Sequence, residues 1–224
     1  MEIKEFRTKD HYLARQELPK VHGETMKMNL DSIFWQNTKY SKVDIEIGAG
    51  VGWNAIVQAK KNPDRLLIAF ERTQVKFAKF CRRINQHPNL SNLIAIQTNA
   101  VFWMARFLPN EFIDNVFLYY PNPQLKNRTQ HLRWHRTPQM HVLESKLKVG
   151  GKLRFATNLA DYALAMGEDM TKVWRFKLEC IRSSKASPWN PRTHFEKKYL
   201  TRGDECFDLM FEKVIPTKLS ASGS

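Results

Sequence analysis

Residues 44–52 read Asp44-Ile45-Glu46-Ile47-Gly48-Ala49-Gly50-Val51-Gly52. Residues 43–47 are a short apolar run with the period of a strand, and residues 52–60 have the spacing of a helix. Three glycines stand between them. Glycine lets a chain turn tightly and lets a ligand approach the backbone closely. A strand, a glycine turn and a helix in this order open a nucleotide-binding α/β unit.

Working outward, the alternation continues. Residues 66–70 form a second apolar strand that runs into Glu71. Thr73 is placed to cap a helix carrying Phe77, Phe80, Cys81 and Ile84 at helical spacing. Strands follow at 93–96 and 115–120, with a helix at 101–107 between them. A helix at 134–147, closed by Gly150-Gly151, precedes a fifth strand at 152–156. A helix at 160–173 and two antiparallel strands at 175–180 and 206–211 complete the pattern. Strands alternating with helices predict a mostly parallel seven-stranded sheet, Rossmann-like α/β, with an antiparallel last strand. Ligands of such sheets sit beyond the strand carboxyl ends at the switch point. That places the ends of the first, second and fourth of these strands at the site. Residues 1–40 read as a basic arm of mixed helix and loop, 41–214 as the domain and 215–224 as a flexible tail.

The turn selects among ligands. It reads G-x-G-x-G, not the dinucleotide G-x-G-x-x-G, and no Lys-Ser/Thr follows to cradle a phosphate. Glu46, two residues before the first glycine, would repel a pyrophosphate but would accept from an ammonium. Glu71, nineteen residues beyond Gly52, is placed to accept both hydroxyls of a ribose. These features suit S-adenosylmethionine better than NAD, and an NAD enzyme is the alternative on glycine spacing alone.

The chain has 224 residues, enough for one large domain, and Lys+Arg 36 against Asp+Glu 22 gives a net charge of +14. That surplus favours a polyanionic partner. Residues 115–143 hold no acid, and up to Ala160 only Glu144 is added. Eight cations lie in that stretch: Lys126, Arg128, Arg133, Arg136, Lys146, Lys148, Lys152 and Arg154. Trp134 offers a stacking face beside them. Cations mixed with aromatics suit phosphate neutralisation and base stacking. No run is long enough to cross a membrane, and no secretory leader is expected. Three cysteines without a C-x-x-C suit reduced thiols in the cytoplasm. His131, His135 and His141 lack a metal-ligand pattern, so no metal is expected. A monomer or a weak homodimer is expected.

The sequence resembles the bacterial tRNA (guanine-N7)-methyltransferases from about residue 44 to 213. The residues that carry the resemblance are Glu46 to Gly52, Glu71, Asn99-Ala100, and Tyr119-Tyr120-Pro121-Asn122-Pro123-Gln124-Leu125-Lys126-Asn127-Arg128. Lys146 to Gly151, Ala156-Thr157-Asn158 with Tyr162-Ala163, Arg192-Thr193-His194-Phe195-Glu196 and Phe207-Asp208-Leu209 extend it. The resemblance implies a class I S-adenosylmethionine-dependent methyltransferase acting on RNA, with tRNA the expected partner. It implies that Glu46, Gly48, Gly50, Gly52, Glu71, Arg72, Asn99 and Ala100 surround the cosubstrate. It places Asn122 on the catalytic acid position. Lys126, Arg128, Asn158, Arg192, Thr193 and Glu196 fall on substrate-holding positions.

Three family aspartates are asparagines here: Asn99, Asn122 and Asn158. Each exchange replaces an acceptor-only anion with a neutral amide that also donates. Guanine N7 carries a lone pair and no proton, so its methylation needs no general base. It needs a held base and an in-line methyl donor. Three readings follow: a guanine-N7 methyltransferase with altered rate, a methyltransferase for another base or RNA, or a non-catalytic RNA-binding paralogue. Arg192-Thr193 with Glu196 also has the form of a helix cap.

Overall fold

The computed structural model describes residues 20–22 and 39–215. The expected arm and tail fall outside these residues, apart from 20–22, 39–40 and 215. The strands are β1 Lys20–His22, β2 Lys42–Ile47, β3 Arg65–Phe70, β4 Leu93–Gln97, β5 Ile113–Tyr119, β6 Leu147–Thr157, β7 Phe176–Ser183 and β8 Phe207–Lys213. The α-helices are α1 Trp53–Lys61, α2 Gln74–Ile84, α3 Ala100–Phe107, α4 Gln139–Lys146, α5 Ala160–Lys172 and α6 His194–Thr201.

The strands join in one sheet, in the order β1-β4-β3-β2-β5-β6-β8-β7. β2 to β6 pair in parallel, and β8 runs antiparallel between β6 and β7. These seven strands are the expected sheet. β1, antiparallel on the edge of β4, is an addition, since its residues read as helix and loop. The chain leaves β2 toward β3 on one side and returns to β5 on the other. The switch point therefore lies between β2 and β5, where Glu46 stands beside Phe117.

β3 and β4 form because their residues are apolar on both faces, as strands covered on both sides require, whereas β2 is apolar on one face and carries Asp44 and Glu46 on the other. β3 reads Arg65-Leu-Leu-Ile-Ala-Phe70, with five of its six residues buried. Val43, Ile45, Ile68 and Ile96 pack on one face with α3, α4 and α5 residues such as Met104, Leu143 and Met166. Leu67, Ala69 and Ala95 pack on the other face with Ala55 and Ile56 of α1 and Phe77 and Phe80 of α2.

Two expected boundaries move. The helix read over 134–147 is broken at Pro138. Residues 134–136 form a 3-10 turn, Thr137 is extended at φ −105° and ψ 154°, and α4 begins at Gln139. The residue before a proline is pushed out of the helical region, which stops the first turn there. Gly150-Gly151 does not close that helix, because α4 ends at Lys146 and β6 starts at Leu147. The glycines lie inside β6, where the pairing with β5 shifts from Ile113↔Leu147 to Asn115↔Lys152. Glycine in a strand commonly marks such a bulge.

Candidate active site

A cleft of about 740 Å³ opens over the carboxyl ends of β2, β3, β5 and β6. Its size suits a small-molecule ligand of a few hundred daltons. The glycine turn is its floor. Gly48 and Ala49 each donate a backbone N–H to Phe70 O, at 2.9 and 2.8 Å, which ties the turn to β3. Gly50 has φ +61°, and an added Cβ there would point into open space. The cradle is thus empty where a side chain would otherwise stand. Gly52 has φ +80°, and its Cβ would lie 1.9 Å from the Phe80 ring. There glycine is demanded by packing as well as by conformation.

Two acids flank the turn in different states. Glu71 Oε2 accepts from Gly50 N at 2.9 Å, and Oε1 accepts from Thr73 N at 2.7 Å. A carboxylate offers about four acceptor sites, so each oxygen keeps one for a ligand. Glu46 is 3% exposed. Burial pushes its carboxyl up to about 8, with the nearby Asn54 amide pulling the other way. Glu46 Oε2 and Asn54 Nδ2 are both buried without a hydrogen-bond partner among the described residues. A buried, unpartnered carboxyl oxygen in a cleft is costly unless a ligand donates to it.

The wall opposite the turn is built by α6. Thr193 Oγ1 caps this helix by accepting from Glu196 N at 3.0 Å. Glu196 is 0% exposed. It accepts from Arg192 N and from the Arg192 guanidinium, both at 2.6 Å, and from the Tyr120 hydroxyl at 2.9 Å. Arg192 also reaches Asp208 on β8 at 2.7 Å and lies 4.4 Å over the Tyr119 ring. Burial alone would lower the Arg192 pKa, but Glu196, Tyr119 and Asp208 together hold it above its ordinary value. This network fastens α6 to the ends of β5 and β8.

The expected site residues divide accordingly. Glu46, Gly48, Gly50, Glu71, Asn122, Asn158 and Thr193 line the cleft, and Gly52 shapes its turn. Asn122 Oδ1 accepts from Gln124 N at 3.2 Å, which turns the chain after Pro121. Arg192 and Glu196 are not part of the cleft lining and hold α6 in place. Asn99 caps α3 by accepting from Val101 N at 3.0 Å, and Ala100 is in the core. Arg72, Lys126 and Arg128 are exposed and away from the lining. Sequence reasoning did not single out Asn54, Lys76, Lys79, Arg83 or Tyr199 as individual cleft residues. For Lys76, Lys79 and Arg83 a signal existed, because i, i+3, i+7 spacing puts them on one helix face.

The glycine turn, the paired acids and the strand order all belong to one kind of enzyme. The family model described as "Putative methyltransferase" matches residues 40–209. The chain belongs to this methyltransferase family. It is 27% identical over 175 residues to the tRNA (guanine-N(7)-)-methyltransferase of Aquifex aeolicus (strain VF5). That match covers 77% of this chain and 57% of the relative, so the chain spans little over half of the relative's length. It is 28% identical over 187 residues to the tRNA (guanine-N(7)-)-methyltransferase of Nitrosomonas eutropha, covering 84% of this chain and 82% of that one. A 16S rRNA (adenine(1408)-N(1))-methyltransferase variant of Catenulisporales acidiphilia, solved with cosubstrate SAM, shares the fold. Its TM-score is 0.59 at 13% identity, over 90% of this chain and 99% of that one.

The residues of this methyltransferase's cleft fit S-adenosylmethionine. Glu46 offers its unpartnered carboxyl oxygen to an ammonium, Glu71 its remaining acceptor sites to ribose hydroxyls, and Gly50 leaves room at the backbone. No helix among the described residues is long and apolar enough to cross a membrane. Among them no three His, Cys, Asp or Glu side chains gather as a metal site.

Proposed function

We propose that this chain transfers a methyl group from S-adenosylmethionine to N7 of a guanine in tRNA, in the cytoplasm. The observation that carries the reading is the buried Glu46 carboxyl, whose Oε2 has no partner among the described residues, set in a cleft that Asn122 and Asn158 share. The names borne by the Aquifex and Nitrosomonas relatives support the choice of base and RNA.

When bound, S-adenosylmethionine supplies an electrophilic methyl group on a sulfonium. Glu46 and Glu71 fix the two ends of the cosubstrate. Asn122 and Asn158 hold the guanine. The Asn122 carbonyl already accepts from Gln124 N, while both protons of its NH₂ remain to donate. Such a donor suits guanine O6, the acceptor beside N7, and leaves the N7 lone pair open. No residue needs to remove a proton. Holding the base in line is the main contribution of the chain.

The test is methyl transfer from labelled S-adenosylmethionine to unmodified tRNA, followed by nucleoside digestion and mass spectrometry. The expected product is 7-methylguanosine. A different methylated nucleoside overturns the choice of base. No incorporation by protein that binds both cosubstrate and tRNA identifies a binding paralogue instead.

A further inference from the structure

Half of the cationic run that stands out in the sequence is ion-paired in the fold. Arg133 pairs with Asp161 at 2.7 Å, Arg136 with Asp169 at 2.9 Å and Lys148 with Asp114 at 3.0 Å, while Lys152 pairs with Glu212. Lys146 donates to Asn110 Oδ1 at 2.8 Å. Lys126, Arg128 and Arg154 of the run form no ion pair with a described residue, and a second group of such cations lies at the cleft. α2 carries Lys76, Lys79, Arg82 and Arg83 and no acid. None of the four forms an ion pair with a described residue, and neither do Lys197 and Lys198 on α6. Lys76, Lys79 and Arg83 share one face of α2 and line the mouth of the cleft.

We infer that Lys76, Lys79 and Arg83 form the ridge on which the RNA phosphates beside the target nucleotide dock. This rests on the functional reading above and locates its partner. Residues 76 to 83 span roughly 10 Å of helix, the axial span of about three phosphates on one strand. Across the cleft mouth the Phe195 ring is 50% exposed, and Lys76 Nζ lies 5.6 Å from its centroid. Trp53 and His194 meet at 5.0 Å beside it. Exposed rings next to free cations suit an unstacked strand, whose bases stack on aromatics while its phosphates meet Lys and Arg. His194 is depressed, first by burial and then by Arg83 and Lys197, which marks how densely cations gather at this edge.

The experiment compares binding of fluorescently labelled, unmodified tRNA across a salt series. The variants are K76Q/K79Q/R83Q and a control, K42Q/K60Q/K61Q, whose lysines lie at the opposite end of the sheet. The ridge variant is expected to bind about 10–100-fold more weakly near 0.1 M salt, with the log–log salt slope reduced by about 2. The control should bind within about twofold of wild type. An unchanged melting temperature and circular dichroism spectrum show that the ridge variant is folded. If it is not, Lys79→Glu alone, at an exposed position, should still weaken binding about tenfold. Equal binding by wild type and the folded ridge variant overturns the ridge. The outcomes separate the two readings. Wild type that methylates tRNA while the ridge variant binds as tightly removes only the ridge. Wild type that binds tRNA through the ridge but makes no 7-methylguanosine removes only the functional reading. Wild type that binds no tRNA removes both.

Discussion

Asp44 and Glu46 point to the same face of β2, and only Asp44 has a cation beside it. Arg65 clasps the Asp44 carboxylate through Nε at 2.7 Å and through a second guanidinium nitrogen, and Asn115 Nδ2 donates to it at 2.7 Å. Glu46 has no cation beside it, only the Asn54 amide, and burial pushes its carboxyl up to about 8. The fold completes the lower acid internally and leaves the upper one for a ligand. A cation arriving at Glu46 favours its ionised form, so binding at pH 7 should release up to about one proton. Calorimetry of S-adenosylmethionine binding in phosphate and in Tris reads this directly. The two enthalpies should differ in proportion to the buffers' ionisation enthalpies, and affinity should rise from pH 6 to 7. Equal enthalpies in both buffers would take the cation away from Glu46.

The same acid makes an opposite statement about stability. Its folded pKa lies above its unfolded value near 4.5, so the folded state holds the proton more tightly. The contribution is complete below pH 4.5 and is lost as pH rises through 8. Glu46→Gln cannot ionise. Without ligand it should therefore be more stable than wild type at pH 8, by on the order of 2–4 kcal/mol, or roughly 5–10 °C in Tm. Near pH 4 the two should melt together. The same variant should bind the cosubstrate roughly 10–100-fold more weakly, the value of a charge-assisted hydrogen bond. A Glu46→Gln protein no more stable at pH 8 than wild type would refute the buried, uncompensated carboxyl.

Arg192 and Glu196 carry a different consequence. Both fall on expected substrate positions, yet the Glu196 carboxylate is consumed by Arg192 and Tyr120. Removing one partner of a buried ion pair costs about 3–5 kcal/mol. Glu196→Ala should therefore lower Tm on the order of 10 °C, and Glu196→Gln by less. Because α6 is released from β5, turnover should fall with cosubstrate affinity little changed. Thermal melts together with calorimetry check this. A Glu196→Ala protein that melts like wild type but fails to bind RNA would make Glu196 a substrate contact.

The parts that the sequence made legible were those with short-range causes. β3 and β4 read as strands because central parallel strands are apolar on both faces, and β2 because its apolar residues alternate with Asp44 and Glu46. The Glu46–Gly52 turn read as a ligand site because its glycines and acid stand within seven residues. Thr193 and Glu196 read as a cap because capping is local. What failed to show depends on distant partners. Lys148 meets Asp114, and Lys152 meets Glu212 sixty residues away. Counting charge along the chain therefore overstates the basic surface of a run in which folding pairs four of the eight cations. The Gly150-Gly151 pair was misread because a bulge and a helix stop use the same residue. Only the pairing partner, β5, distinguishes them.

Asn122 offers the sharpest test of the chemistry. Methylation moves positive charge onto the purine, and a carboxylate near the base would stabilise it where an amide does not. Removing one preorganised electrostatic group costs about 10²-fold in other enzymes. Asn122→Asp loses the donor to guanine O6 but gains the anion, so tRNA affinity should fall while the single-turnover rate at saturation rises on the order of 10-fold. Cosubstrate affinity should hold, because Asn122 is remote from Glu46 and Glu71 in sequence and in role. The turn should survive, since an Asp oxygen can accept from Gln124 N as the amide oxygen does. The two effects have separate readouts. Where the Asn122 NH₂ donates to guanine O6, a carboxylate faces an acceptor and tRNA affinity drops, whereas stabilised charge shows in the rate at saturation. Single-turnover rates at saturating tRNA, measured beside tRNA affinity, tell the two apart. An Asp variant no faster at saturation refutes charge stabilisation at this position, and one that binds tRNA as tightly as wild type refutes the hold on O6.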